Sequence, residues 1–237
     1  TNGFTGVGYA AIAQDELYNA QLTHTLTFDK KITTDLNLNA LVGYEYLKFV
    51  SKGSSLSTNG PNPGGFGQYG LNYTDYIQYG DPTSRSISSY NDPTTELQSY
   101  FGRVALNYQD KYLLTATLRS DGSTKFGKNN RYGYFPSFSI GWDIAKEDFF
   151  KNSSVVSELK IRGSWGITSQ QSIDGTGGSF NALYPYLPVY SQSNSAAQYQ
   201  FGNTFVSYLR PGAYGPNIKW ETSTTANLGL DFGFLNN

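Results

Sequence analysis

Apolar and polar residues alternate with period two in about seven segments of roughly ten residues each, the signature of half-buried β-strands. The clearest lies at 158–168, where Leu159, Ile161, Gly163, Trp165 and Ile167 share one face and Lys160, Arg162, Ser164, Gly166 and Thr168 the other. At 111–119, Tyr112, Leu114, Ala116 and Leu118 oppose Leu113, Thr115, Thr117 and Arg119. At 134–144, Phe138, Ile140, Trp142 and Ile144 oppose Ser137, Ser139, Gly141 and Asp143, and at 220–233, Ala226, Leu228, Leu230 and Phe232 oppose Thr225, Asn227, Gly229 and Asp231. Segments 17–28, 34–49 and 96–108 behave similarly. Helix is expected nowhere except for a turn near Glu147–Lys151.

The connections alternate in length. Short links at about 29–33, 109–110 and 145–157 take turns with longer ones at about 50–95, 121–132 and 169–219. In an antiparallel sheet this sets all short turns at one end and all long loops at the other. Loops of about 40 to 50 residues are unusual inside a compact soluble domain. Transmembrane β-barrels have this asymmetry, with short periplasmic turns and long extracellular loops. A soluble β-sandwich alternates too. Two details favour the barrel. Charges lie deep within the polar faces (Arg103, Arg119, Asp143, Arg162, Asp231), which suits a wet lumen. Aromatic rings gather near strand ends (Tyr108, Tyr112, Tyr132, Tyr134, Phe135), which suits a membrane-interface girdle.

Composition sharpens the picture. Of 237 residues only 15% are charged, against roughly 25% in an ordinary domain. The 20 Tyr, 15 Phe and 26 Gly replace them, a β-type composition. Seventeen basic residues against 18 acidic ones leave a net charge of -1, which offers nucleic acid no basic surface. Cys is absent, removing disulfides and thiol chemistry, and the one His, His24, has no second His for a metal site. No apolar run approaches the length of a transmembrane helix, and a barrel needs none. Thr1 opens the chain without a signal segment, and seven strands cannot close a single-chain bacterial barrel. The chain therefore reads as an internal arc of a larger one.

The chemical motifs are weak. Gly122-Ser123-Thr124-Lys125-Phe126-Gly127-Lys128-Asn129 departs from a phosphate-binding loop only at Asn129, where a Mg²⁺-holding hydroxyl is required. A strand rather than a helix follows it, so a Gly-permitted hairpin connection is expected. His24 shares a face with Leu22 and Leu26 and reads as packed or interfacial; no nucleophile signature or carboxylate dyad accompanies it. The reading is non-enzymatic, without cofactor or metal. Asp75, Asp81 and Asp92 have no calcium-loop spacing. The long loops at 50–95 and 169–219 carry recurrent tyrosines. Tyr69, Tyr73, Tyr76, Tyr186 and Tyr190 are the candidates to touch a ligand or a covering lid, with loop packing as their alternative.

Ser99-Tyr100-Phe101-Gly102-Arg103-Val104 and Asp110-Lys111-Tyr112-Leu113-Leu114-Thr115-Ala116-Thr117-Leu118-Arg119 closely resemble the SusC/RagA-type TonB-dependent transporters of Bacteroidota. So do the run from Asp121 to Ser137, Leu159-Lys160-Ile161-Arg162-Gly163-Ser164-Trp165-Gly166, Gly215-Pro216-Asn217-Ile218-Lys219-Trp220-Glu221-Thr222 and Asn227-Leu228-Gly229-Leu230-Asp231-Phe232-Gly233. The stretch Leu36–Glu45 matches more loosely, and the two long loops not at all.

The resemblance implies an all-β, antiparallel transmembrane barrel of about 22 strands, of which residues 1–237 supply about seven. A plug domain and the remaining strands are expected outside them. It also implies an outer-membrane location, a SusD-like lipoprotein lid, and coupling to the TonB complex through an N-terminal part. An oligosaccharide or peptide would be the cargo. Two alternatives stand beside import: a structural or accessory barrel of a larger envelope complex, and a soluble carbohydrate-binding β-protein.

Overall fold

A computed structural model describes residues 8–61, 64–66, 76–92, 94–150, 155–171, 184–188, 190–192, 198–212 and 214–234. The strands are β1 (Tyr9–Lys31), β2 (Leu36–Asn59), β3 (Ser86–Asn91), β4 (Thr95–Tyr108), β5 (Tyr112–Ser123), β6 (Tyr132–Asp143), β7 (Val156–Gln170), four short strands β8 (Tyr190–Gln192), β9 (Tyr199–Phe201), β10 (Thr204–Val206) and β11 (Leu209–Pro211), and β12 (Glu221–Phe234). The main sheet runs β1-β2-β4-β5-β6-β7-β12, with β3 on β2. Each of the seven alternating segments lies within one strand of that order or overlaps most of it. The fold is all-β and antiparallel, as the period-two pattern requires. The chain divides into two compact units, Thr1–Ala20 with Lys48–Thr94, and Gln21–Leu47 with Thr95–Asn237.

The larger unit holds the ladder that matters most. Arg103 pairs with Thr117 and Thr117 with Ser137. Ser137 pairs with Gly166 and Gly166 with Thr225. Because a register fixes which residues share a face, this row and its i±2 neighbours define one polar face across five strands. Leu118, Ile140, Gly163 and Leu228 fall on the other, apolar face by the same count. Leu118, Ile140 and Leu228 are exposed there, Leu228 at 85%. Apart from Ile144 at the short turns, the buried apolar residues described in this unit gather at the long-loop end. There Phe126, Phe135 and Trp220 form a cluster with Leu97, Ile167 and Ile218 packed on it. The Trp220 ring lies 4.9 Å from Phe126 and 5.6 Å, edge-on, from Phe135, and its indole N–H donates to the Arg131 carbonyl at 3.0 Å. Phe126 is therefore the anchor of the β5–β6 connection. The expected hairpin reading of Gly122–Asn129 holds: strand precedes and follows it, and an aromatic ring fills its interior.

The short-turn end is tight. Gln109 and Asp110 both adopt left-handed backbone, at φ 55 and 53, and Lys111 N–H bonds the Tyr108 carbonyl at 3.0 Å. That is the mirror-image turn whose twist suits a hairpin. The β6–β7 connection opens with a single 3-10 turn at Ile144–Lys146, and the turn expected near Glu147–Lys151 follows it directly. Glu147 and Phe150 then each close an i→i+3 bond, to Ile144 and Glu147.

Strand limits are where the sequence expectation needed correction. In the smaller unit β1 starts at Tyr9, not 17, because Ala10, Ala11 and Ala13 blur the alternation there. β2 continues through Ser51–Asn59 into the stretch read as loop 50–95, and β3 pairs with it from Lys52↔Asn91 to Ser57↔Ser86. Burial does not hold that ladder; backbone bonds and hydroxyl contacts such as Ser55–Ser88 at 2.7 Å do. The stretch read as loop 169–219 likewise holds β8 paired with β11 and β9 with β10.

Replacing Phe126 by Ala removes the largest fully buried side chain among the described residues and should cost about 3–5 kcal/mol. The expected outcome is rapid cleavage of the protein between Thr124 and Arg131 under limited proteolysis, where the parent protein resists.

Candidate functional site

The polar face of the larger unit carries most of its charges in small local groups of opposite sign. The five residues singled out from the sequence, Arg103, Arg119, Asp143, Arg162 and Asp231, all fall on this face by register. They do not converge on one centre. Arg119 sits between two carboxylates, its Nη2 3.0 Å from Glu45 and its Nε 2.7 Å from Asp121. Gln21 donates to the same Glu45 at 2.9 Å. The guanidinium also lies 5.3 Å from the centroid of Phe101, a favourable cation–π distance. Phe101 in turn covers Gly43 so closely that any Cβ there would collide with its ring. Arg103 belongs to a lighter group, reaching the Asn39 side-chain oxygen at 3.3 Å while Asn39 donates to Asp29 at 2.9 Å.

The third group is built on glycines. Arg162 is flanked in register by Gly141 and Gly229. It lies over Gly229, where an added Cβ would stand 2.8 Å from its Nε, and reaches Asp231 at 2.9 Å. This exposed pair is worth at most about 1 kcal/mol in stability. Its importance is shape: the glycines leave a hollow of about 520 Å³ on the polar face. Thr115, Ser139, Lys160, Arg162, Ser164 and Asn227 present hydroxyl, amide and cationic groups to it. Asp143 stands apart, bonded to Lys146 at 3.2 Å near the short turns.

The sequence reading missed Glu147. Its carboxylate accepts from the Tyr112 hydroxyl at 2.6 Å, the Trp142 indole N–H at 3.1 Å and the Lys111 ammonium at 3.0 Å. Three donors hold it to a pKa of about 2, with the Tyr112 bond the largest cause, then Lys111 and Trp142. The hydrogen bond to Glu147 raises the Lys111 ammonium above its ordinary value. Tyr112 stacks on Tyr108 at 6.2 Å and on Trp142 at 6.3 Å. One acid thus fixes a row of rings and ties two consecutive short connections together. Tyr108 and Tyr112 of this row were legible as girdle rings, whereas Phe135, expected with them, is buried against Trp220; the anchor Glu147 lay beyond a strand end, where alternation gives no signal.

Among the loop candidates, Tyr69 and Tyr73 lie outside the described residues. Tyr76 is exposed and meets Tyr79 edge-on at 6.1 Å. Tyr186 is half-buried, 6.1 Å from Tyr184, and packs where a Cβ on Gly127 would stand 3.5 Å from it. That contact is loop packing. Tyr190 is exposed at the start of β8. His24 is exposed and opposite in parity to Gln21 and Thr23, which bond Glu45. Asp75 lies outside the described residues, and Asp81 caps a turn by accepting from Thr83 N–H at 2.8 Å and its hydroxyl at 2.7 Å. Those bonds hold the Asp81 carboxyl below its usual range. No group of three metal-ligating side chains occurs among the described residues.

A sheet with ion pairs and a polar hollow on one face and bare aliphatic and aromatic side chains on the other is a wall of a membrane-spanning β-barrel. The TonB dependent receptor-like, beta-barrel family matches residues 1–237, and the chain belongs to that family of outer-membrane proteins. TonB-dependent receptor SusC of Bacteroides thetaiotaomicron is 49% identical over 156 residues, covering 66% of this chain and 15% of the relative. TonB-dependent receptor P3 of Formosa agariphila is 34% identical over 247 residues, covering 100% of this chain and 22% of the relative. Among solved structures, the RagAB peptide importer in its open-open state superposes with a TM-score of 0.75 at 23% identity, over 96% of this chain and 22% of that one. The RagAB peptide transporter gives 0.73 at 21%, over 95% and 23%. The chain thus spans about a fifth of the length of the proteins it matches. The soluble carbohydrate-binding alternative is overturned by this membership.

Glu147 also yields a pH signature. A carboxylate depressed from its ordinary ~4.3 contributes stability that is present above that value and lost as pH falls toward about 2. In the full-length receptor Glu147→Gln should lower the thermal unfolding temperature at pH 7, and the gap to the parent protein should close near pH 2. An undiminished gap at pH 2 would show that charge is not what Glu147 supplies.

Proposed function

We propose that this chain forms an arc of the barrel wall of a TonB-dependent outer-membrane importer, with the polar face toward the lumen and plug. The apolar face, including Leu118, Ile140, Trp142 and Leu228, meets lipid. The observation that carries the reading is the register itself. It sends Arg103, Arg119, Asp143, Arg162 and Asp231 to one side, and it leaves large aliphatic residues exposed on the other. In water such an apolar face would be an aggregation hazard; in a bilayer it is the contact surface.

In this role the wall acts as a passive surface, and the protein is not an enzyme. The whole receptor would capture an oligosaccharide or peptide outside the cell under a SusD-like lipoprotein lid. Cargo would then pass along the lumen when the TonB complex displaces the plug. Exposed rings such as Tyr76 and Tyr190 are the described candidates for lid or cargo contact, with Tyr69 and Tyr73 from the same sequence pattern. The ion pairs suit a passage wall: they keep it wetted while Arg103, Arg119 and Arg162 are each held by a neighbouring acid or amide. The likeness to the RagAB peptide importer, at 23% identity, does not choose between the two cargoes; cargo contacts would fall in the long loops.

Two tests follow from this arrangement. Deleting the gene should abolish growth on one class of oligosaccharide or peptide supplied as sole nutrient, while unchanged growth on every such nutrient would favour an accessory envelope barrel. In outer-membrane vesicles carrying the full receptor, Ser139→Cys should react with a membrane-impermeant maleimide at least about tenfold faster than Ile140→Cys. The two positions are adjacent, so a reversed order would mean the faces are assigned the wrong way round.

A further inference from the structure

The apolar face is uneven. At Gly163 it is notched, and we propose that this notch is a retained-lipid site that takes one acyl chain of a membrane phospholipid in the leaflet nearest the short turns. The inference rests on the lipid-facing assignment made above and names a specific ligand for one spot on that face.

Gly163 pairs with Ile140 on one side and Leu228 on the other. A Cβ added to it would meet nothing nearer than Ile140 Cγ1 at 3.8 Å and the Asn227 carbonyl oxygen at 3.9 Å. The missing side chain opens a hollow of about 380 Å³ walled by Tyr112, Leu114, Ile140, Trp142, Ile161 and Leu228. Every one of these side chains is aliphatic or aromatic. The two polar tips, the Tyr112 hydroxyl and the Trp142 indole N–H, are already spent on Glu147. The rings stack nearly parallel, at 12°, so the wall of the hollow is held rigid instead of collapsing into the space.

Depth identifies the occupant. Tyr112 opens β5 and Trp142 is next to last in β6, so the ring pair stands at the short-turn end of the sheet. Amphipathic rings take that level at a membrane interface. Gly163 lies opposite Ile140, two residues further into the sheet from Trp142, or about 7 Å deeper. The hollow therefore starts at headgroup level and continues into the hydrocarbon. A chain of methylenes entering there gains dispersion contacts on several sides, where an unnotched stretch of the face offers one. A protein partner needs a far larger interface, on the order of 1,000 Å².

The test is native mass spectrometry of the full-length receptor extracted from outer membranes in mild detergent, titrated with phosphatidylethanolamine. The parent protein is expected to keep one phospholipid per barrel through detergent exchange. Gly163→Leu, which fills the hollow, should cut that occupancy about tenfold, the equivalent of two displaced methylenes, and Gly163→Ala should fall between. Leu228→Ala, which removes one wall without adding bulk, should also lower it and serves if the Leu variant fails to fold. Equal retention by all variants, or lipopolysaccharide in place of phospholipid at this position, would overturn the proposal. Recovery of the receptor from a soluble fraction would instead overturn the membrane assignment beneath it.

Discussion

Inside a bilayer no water is available to a backbone amide or carbonyl, so a spanning chain must satisfy all of them by itself. The antiparallel ladder does this here, and everything else in the larger unit follows from it. Once Arg103 is opposite Thr117, and Thr117 opposite Ser137, parity alone decides which side every further residue takes. A slip of one residue would carry Arg119, Arg162 and Asp231 to the apolar side and Leu118, Ile161 and Leu230 to the polar one. The register is thus set by the whole pattern of side chains, and no single contact could be exchanged for it.

Charge is handled locally on the polar face. Arg119 has two acids, Arg162 has one, and Arg103 has an amide that is itself tied to an acid. Close backbone approach makes these arrangements possible. Phe101 reaches across Gly43 to lie beneath Arg119, and Arg162 crosses Gly229 to reach Asp231. The same absence of a side chain at Gly163 notches the opposite face. Glycine in these strands shapes the wall on both sides while leaving the ladder intact.

Most of the sheet was legible in the sequence because period two survives wherever one face is apolar. Leu159–Ile167 and Leu113–Arg119 announced β7 and β5 with their faces assigned. The five charged candidates were placed on a common face by the same rule, and Glu45 and Asp121 obey it too, though they were not singled out. Pairing was the illegible part. Alternation shows that Arg119 faces the polar side, but only the register brings it to Glu45, 74 positions away. Strand ends were misjudged where the physical cause differs: Ser51–Asn59 is held by its backbone and hydroxyls, so it leaves no apolar trace. Glu147 escaped for a related reason, since its three donors come from two strands and a turn.

The serine-rich ladder of β2 and β3 has an evolutionary consequence. Its bonds run between backbone atoms and short hydroxyls, and its Leu56–Ile87 pair is exposed. Gly53 is fixed, since a Cβ there would stand 2.8 Å from the Gln14 carbonyl oxygen, but exposed positions such as Leu56 and Ile87 accept almost any residue that tolerates an extended backbone. Substitution there is close to neutral for folding, whereas on the wall each position is constrained by which face it must serve. A single chain thereby joins a frame in which most substitutions carry a cost to a segment with exposed positions where few do.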